Sequence, residues 1–158
     1  MWMAGLSSIL YYMETGNLTI DAQTAFSREQ RRRRRQRASR WLLRRPQPEL
    51  RSLGDVRVRR PAELQAIPLA SIVGTAESAK ARTFDGRFRP APASRRRWER
   101  LWIAGRRGEN LPPISVYRLG REHFVRDGHH RVSVANSLGM ASIDAEVTEL
   151  AHSGSGCS

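Results

Sequence analysis

The chain has 158 residues, a length typical of one domain, alone or with an appended segment. Its formal net charge is +13, and Lys80 is the only lysine, so arginine supplies almost all of the basic excess. No stretch reaches the roughly 20 apolar residues of a membrane span, and the single Cys157 excludes a disulfide within the chain and a cysteine-based zinc site. This composition favours a cytoplasmic protein with phosphate-bearing partners, because the guanidinium group binds phosphate bidentately.

The first 25 residues are expected to form a poorly ordered leader, because chain termini are often the least ordered part of a domain. Gly16 and Asn17 interrupt the mildly apolar residues before them, and Leu18–Ile20 is predicted to be extended or loop. The first well-supported helix is therefore expected to start later, near Phe26.

A basic helix is predicted for residues 26–45, with Ser27 as N-cap, Gln30 as its capping-box partner and Pro46 as the stop. Like charges four residues apart oppose helix formation unless an anion relieves them. The arginine run therefore predicts nucleic-acid phosphate as a partner, and a solvated arm without a specific partner is the alternative. The candidate nucleic-acid-binding residues are Arg31, Arg32, Arg33, Arg34, Arg35 and Arg37.

Residues 46–62 predict a linker, because prolines and a glycine interrupt them. A folded domain is predicted for residues 63–150, and residues 151–158 are expected to be a flexible Ser/Gly tail. The first strand of the domain is predicted near Leu64–Val73, where Pro68 suits a sheet edge or a strand start.

The rest of the domain alternates between helical and strand patterns. A stripe of large apolar residues in the next helix predicts a core-facing side, and a glycine between two strands predicts a hairpin. The fold class is therefore α+β, with a small mixed sheet packed with helices and preceded by the basic helix. The elements are a helix at Ser94–Arg107 with Trp98, Leu101 and Trp102 inward, strands at Ile114–Arg118 and His123–Arg126 joined at Gly120, a helix at His129–Leu138 and a strand at Ile143–Val147.

The segment from Asp127 to Arg131 indicates a site. A strand that enters a helix through a glycine leaves N–H groups exposed at the helix start, where the dipole favours an anion. Three cation-capable residues, His129, His130 and Arg131, would follow in that first turn, an arrangement expected where a bound phosphate supplies negative charge. Gly128 would let a ligand approach the backbone, and Arg131 would clamp phosphate oxygens. Asp127 would be the N-cap, or would hold magnesium or orient a histidine.

The two histidines cannot serve one ligand equally, because adjacent helical residues face about 100° apart. One is expected to point into the fold, and His130 is the preferred phosphate ligand together with Arg131. A metal site built from His123, Asp127, His129 and His130 lacks a known ligand spacing and is not predicted.

Five segments carry a family resemblance: Ile67–Gly74, Phe84–Pro90, Leu111–Gly120, His123–Val132 and Ile143–Val147. Together they resemble the ParB/sulfiredoxin superfamily, and most of all its stand-alone bacterial members with an Asp-Gly-His-His-Arg box. The resemblance spans about residues 63–150.

The resemblance implies that Gly128, His129, His130 and Arg131 cradle phosphates, with CTP or ATP and Mg²⁺ as the bound cofactor. Members of the superfamily bind and hydrolyse CTP while clamping DNA, repair an over-oxidised peroxiredoxin with ATP, or phosphorylate free serine. The box here lacks the cysteine of sulfiredoxins, so sulfinate reductase activity is not expected. The chain ends soon after Leu150, so the helix-turn-helix of chromosome-partitioning proteins and their sequence-specific binding are not expected either.

The main hypothesis is a ParB-like nucleotide-binding domain with a basic arm that binds nucleic acid non-specifically. The alternative is a small nucleotide-dependent phosphotransferase resembling the free serine kinase, with Glu77 or Asp85 as possible bases. A third is a partner-binding protein that retains the fold alone. Asp127, His129 and His130 are the candidate catalytic residues if the protein is an NTP hydrolase or phosphotransferase. The nucleotide, the acceptor, the choice of DNA or RNA and the oligomeric state stay open.

Overall fold

The structure, a computed structural model, describes residues 15–43, 51–52 and 56–152. The predictions for residues 1–14, for the helix end at Arg45, for most of residues 46–55 and for the tail from residue 153 lie outside these ranges. No helix in the described part of the chain is both long and apolar enough to cross a membrane.

The described residues confirm the predicted α+β class. Six strands form one mixed sheet in the order β1-β3-β5-β4-β6-β2. Strand pairs β1/β3, β3/β5 and β4/β6 are parallel, whereas β4/β5 and β2/β6 are antiparallel. In chain order the elements are α1 (Leu18–Leu42), β1 (Arg51–Ser52), β2 (Val56–Pro68), β3 (Ile72–Thr75), α2 (Ser78–Ala81), α3 (Arg95–Arg106), β4 (Ile114–Leu119), β5 (Glu122–Asp127), α4 (His129–Ser137) and β6 (Ser142–His152).

The prediction of where the first helix begins was wrong. Helix α1 begins at Leu18, because the side chain of Asn17 accepts hydrogen bonds from the backbone N–H groups of Thr19 and Ile20 at 3.0 and 3.4 Å. This is N-cap geometry. Ser27, the predicted cap, lies inside the helix.

Helix α1 packs against α3 through its first half. Ala22, Ala25 and Phe26 are buried with Trp98 and Trp102 in a cluster between the helices, and the rings of Phe26 and Trp98 meet edge to face at 5.5 Å. The predicted inward stripe of α3 is thereby confirmed for its two tryptophans. The second half of α1, which carries the arginine run, extends beyond this contact.

Strand β2 is one of the two edge strands of the sheet and starts inside the predicted linker. It pairs with β6 from Val56 to Pro68, and its register shifts on both sides of Arg60, next to Pro61. Proline cannot donate to a ladder, so an edge strand with irregular pairing accommodates it. The prediction of a linker over residues 56–62 was wrong. Pro61 argues against a strand in the local sequence, and the strand depends on its pairing with β6.

The main core lies between the sheet and the helices that cover it. It brings together Ile67 and Ile72, Phe84 and Phe88, the inward residues of β4, β5 and β6, and Val132 of α4. Gly120 has a positive φ in the β4–β5 hairpin, as predicted, and Gly108 and Gly139, also at positive φ, follow helices α3 and α4.

Candidate functional site

The start of α4 follows directly from the end of β5, as the sequence predicts. Gly128 is the N-cap residue with a φ of 103°, and as a glycine it makes no side-chain capping hydrogen bond. A Cβ at this position would lie 2.8 Å from Cβ of Ile114, inside the core. The positive φ and the close contact with Ile114 both require glycine here. The missing side chain therefore makes room for the core. The close approach of a ligand to the Gly128 backbone stays a prediction.

The assignment of Asp127 as the N-cap was wrong. The chain turns one residue later, at Gly128, so the Asp127 carboxylate accepts a hydrogen bond from Nη2 of Arg131 at 2.7 Å instead. The aspartate is 72% exposed, whereas Arg131 is 15% exposed. The pair forms across one turn at the start of the helix.

Arg131 is held by backbone carbonyls as well as by this aspartate. Its Nη1 donates to the carbonyl oxygens of Pro112 and Pro113 at 2.5 and 2.6 Å. The guanidinium group therefore fastens the extended segment before β4 to helix α4. These bonds use three of the five guanidinium N–H donors, so two donors remain for a phosphate clamp at Arg131.

His129 points into the fold, which confirms that one of the two histidines does so. Its Nε2 lies 2.7 Å from Oγ1 of Thr75 at the end of β3, and its ring stacks on Phe84 at 5.7 Å. Burial lowers the pKa of His129 to about 4, with a further contribution from Lys80 and an opposing one from Asp127.

His130 contacts the same phenylalanine from another side, edge-on at 5.0 Å. Its Nε2 is buried and has no hydrogen-bond partner among the described residues. Burial lowers the pKa of His130 to about 4, helped by the positive charges of Arg97 and Lys80. Both histidines are thus neutral at pH 7, and the expected cluster of three cations in this turn reduces to Arg131.

The cations that face the histidines come from other elements. Lys80 belongs to α2, and its positive charge lowers the pKa of both His129 and His130. Arg97 lies in the first turn of α3 and lowers the pKa of His130. Sequence reasoning missed both residues, because no local pattern connects them to the box. The only available signal was that Lys80 is the sole lysine of the chain.

The two carboxylates considered as bases differ in their surroundings. Glu77 is exposed. Asp85 accepts hydrogen bonds from the backbone N–H groups of Arg87 and Arg89 at 3.0 and 2.9 Å, and thereby closes the turn after Phe84. This is the role of an Asx turn, so Asp85 has a structural function in the loop that carries Phe84.

Two cavities flank α4 on its sides. One of about 340 Å³ has Glu29, Arg89 and Ser133 among its lining residues, and one of about 430 Å³ has Leu111 and Arg131. His129 and His130 line neither of them. Of the predicted phosphate ligands, Arg131 lines the larger of these two cavities, and Gly128, His129 and His130 line neither.

The arginine run of α1 is mostly exposed to solvent. Arg33 is the exception, because its Nη1 reaches the carbonyl oxygen of Thr83 at 3.5 Å and burial lowers its pKa. Arg32 pairs with Glu29 at 3.0 Å but stays exposed. The exposed members of the predicted set are Arg31, Arg32, Arg34, Arg35 and Arg37.

The site offers no cluster of metal ligands. Nowhere in the described ranges do three His, Cys, Asp or Glu side chains come close enough together to hold a metal ion. A Mg²⁺ ion here would therefore take most of its ligands from water and from the phosphates of a bound nucleotide, as is common for this ion.

The fold and this site define an α+β protein in which a helix starts at a glycine N-cap beside two neutral histidines. No family model matches the chain, and no curated protein matches it. Among solved structures it is similar to sulfiredoxin from Arabidopsis thaliana, with 18% sequence identity and a TM-score of 0.43, over 56% of this chain and 88% of that chain. Membership among bacterial proteins with an Asp-Gly-His-His-Arg box stays a prediction.

Proposed function

We propose that this protein binds nucleic acid non-specifically through the exposed arginines of α1, and a nucleotide at the start of α4, as a ParB-like protein. The observation that carries the first part is the division of α1 into two halves. The first half is buried against α3, whereas the arginine-rich second half is exposed. The arginines therefore lie on a helix that is anchored by its packing against α3. Less conformational entropy of the backbone is lost when a partner binds.

The exposed arginines have few internal partners. Among the described contacts, no carboxylate pairs with Arg31, Arg34, Arg35 or Arg37. The remaining exposed arginine, Arg32, forms an ion pair with Glu29. Like charges this close together destabilise the free helix. A phosphate backbone relieves that repulsion and releases its own counterions, so binding would be strong at low salt and weak at high salt.

The test is a salt titration of binding to a fluorescent DNA duplex, read by anisotropy. The substituted protein carries Arg31→Gln, Arg34→Gln and Arg35→Gln. The slope of log Kd against log salt is expected to fall by about 2.7, because each phosphate contact contributes about 0.9.

The control for this test removes the same charge elsewhere. Arg57, Arg121 and Arg126 are exposed residues of β2, of the β4–β5 hairpin and of β5. A protein with all three replaced by Gln is expected to keep the wild-type slope. Equal losses in both triple variants would mean that net charge alone is responsible, and no binding by the wild type at about 150 mM salt would end the proposal.

Nucleotide binding is supported by the surroundings of the box. Gly128 supplies no side-chain cap to the first N–H groups of α4, and the positive charges of Lys80 and Arg97 lie close enough to lower the pKa of His130. These features suit phosphate oxygens. A pKa of about 4 makes both histidines weak proton acceptors at pH 7. The alternative, a phosphotransferase, would therefore have to rely on positioning and charge rather than on a histidine base.

A thermal-shift panel of ATP, ADP, CTP and GTP with Mg²⁺ tests this part. One nucleotide is expected to raise the melting temperature of the wild type, and to raise it less in Lys80→Gln and Arg97→Gln, because both cations face the box. Arg121→Gln is the control and should respond like the wild type. CTP would favour a ParB-like protein and ATP the kinase alternative. A flat response to all four nucleotides would refute nucleotide binding.

A further inference from the structure

Trp41 is the most exposed of the large apolar side chains in the described part of the chain, with 81% of its surface open to solvent. It lies in the last turn of α1, which ends at Leu42. The other described tryptophans, Trp98 and Trp102, are buried between α1 and α3. The neighbours of Trp41 on the helix surface therefore decide what could cover its ring.

Trp41 shares one face of α1 with two exposed arginines of the run. Arg34 and Arg37 precede it by seven and four residues, and 3.6 residues per turn places both within about 40° of it around the helix axis. The rise per residue puts Trp41 about 6 Å from Arg37 and about 10 Å from Arg34 along the axis. These three residues, the Trp41 face, form a row of two guanidinium groups that continues into an indole ring.

Other residues of the same helix segment contact the loop between α2 and α3. Oε1 of Gln36 accepts a hydrogen bond from Nη1 of Arg89 at 2.6 Å, and Nη1 of Arg33 donates to the carbonyl oxygen of Thr83 at 3.5 Å. These contacts hold the helix in one rotation about its axis. The Trp41 face stays exposed in that rotation, so it is oriented before a ligand binds.

The residues of the Trp41 face suit a nucleic-acid strand better than a membrane surface. A helix that lies in a membrane interface needs an apolar stripe along its length, whereas arginines stand one and two turns before Trp41. Leu42 and Leu43 are exposed as well, but they confine the apolar cluster to the end of the helix. On a nucleic-acid strand, the phosphates take the guanidinium groups while a base stacks on the ring.

We infer that Trp41 stacks on an unpaired base of a nucleic-acid strand whose phosphates bind Arg34 and Arg37. This inference rests on the proposed function of α1 and names its ligand as nucleic acid with unpaired bases. In a duplex the faces of the bases are covered by neighbouring bases, so the ring gains this contact only where bases are unpaired.

The experiment uses the full chain and two fluorescent single strands of about 12 nucleotides, a length in the range of single-strand binding sites. One strand is made of thymidines, and the other is abasic and keeps only the sugars and phosphates. Trp41→Ala is expected to raise Kd for the thymidine strand about tenfold, the size expected for one stacked base. Its Kd for the abasic strand and its salt slope should stay at the wild-type values, because no phosphate contact is lost.

Two further variants separate stacking from other effects. Trp41→Phe keeps an aromatic ring and should keep most of the affinity. Leu42→Ala removes an exposed apolar side chain at the next position, about 100° around the helix, and should bind like the wild type. A duplex of the same length is the third probe, and Trp41→Ala should change its Kd by less than about twofold because its bases are already stacked.

The outcomes separate this inference from the proposed function. If Arg31→Gln/Arg34→Gln/Arg35→Gln weakens binding while Trp41→Ala binds the thymidine strand like the wild type, the arginines act alone and the inference is overturned. Equal losses on the two strands, or in Trp41→Ala and Leu42→Ala, would also overturn stacking. So would a Trp41→Ala protein that loses binding only to vesicles of phosphatidylglycerol and phosphatidylcholine, which would assign the ring to a membrane surface. A wild type that binds no nucleic acid would overturn both.

Discussion

The free energy of unfolding is expected to fall as the pH drops from 6.5 towards 5. His129 and His130 have pKa values of about 4 in the folded protein, against 6.5 for a free histidine. Below pH 6.5 the unfolded chain binds protons that the folded protein excludes, so acid favours unfolding. The stabilising effect of the neutral histidines is complete above pH 6.5 and is lost progressively down to about pH 4.

Linkage gives the size of this effect. A histidine whose pKa falls from 6.5 to about 4 on folding costs roughly 1.5 kcal/mol between pH 6.5 and about 5. His129 is almost fully buried and should show this value. His130 is partly exposed and should contribute less, because solvent screens its charge. The two together should lower stability by about 2 kcal/mol over this range.

The assay is urea unfolding at several pH values between 6.5 and about 5, for the wild type and for His129→Gln/His130→Gln. Glutamine keeps a polar group near the position of Nε2 but does not titrate. The variant should be less stable at pH 7 and show a pH dependence about 2 kcal/mol shallower. His123, whose pKa is lowered by burial and Arg118, should supply part of the remaining dependence. An unchanged pH dependence in the variant would refute this reasoning.

Two further predictions concern stability in urea at neutral pH. Gly128→Ala should cost about 3 kcal/mol or more, because it combines positive φ with a clash against Ile114, whereas Gly139→Ala, with positive φ and open space, should cost only about 1 kcal/mol. Similar losses at both glycines would contradict the packing argument. Asn17→Ala should cost about 1 kcal/mol through loss of the cap, and Ser27→Ala should cost less than half of that; the reverse order would place the helix start where the sequence suggested.

Local chemistry accounts for most of the elements that the sequence predicts correctly. The β4–β5 hairpin depends on the positive φ of Gly120, and α3 depends on the spacing of Trp98 and Trp102. The entry into α4 through Gly128 is equally local. In each case the residues that specify the structure are within a few positions of one another, so the local sequence is enough to predict the element.

Partners distant in the chain decided the features that the sequence missed. Strand β2 extends back to Val56 because it pairs with β6 along its whole length. Helix α1 is held in place because Phe26 packs against Trp98 of α3. At the site, the carbonyl groups of Pro112 and Pro113 occupy Arg131.

The sequence by itself determined the α+β class, the glycine turns and the strand-to-helix step that places the box, since these depend on backbone preferences and short-range periodicity. Only the tertiary structure decided the electrostatics of that box. Burial against Phe84, and for His129 also against Thr75, lowers the pKa of both histidines, and Lys80 and Arg97 bring positive charge from other elements. Desolvation and Coulomb interactions depend on distances in space, which residue order alone does not contain.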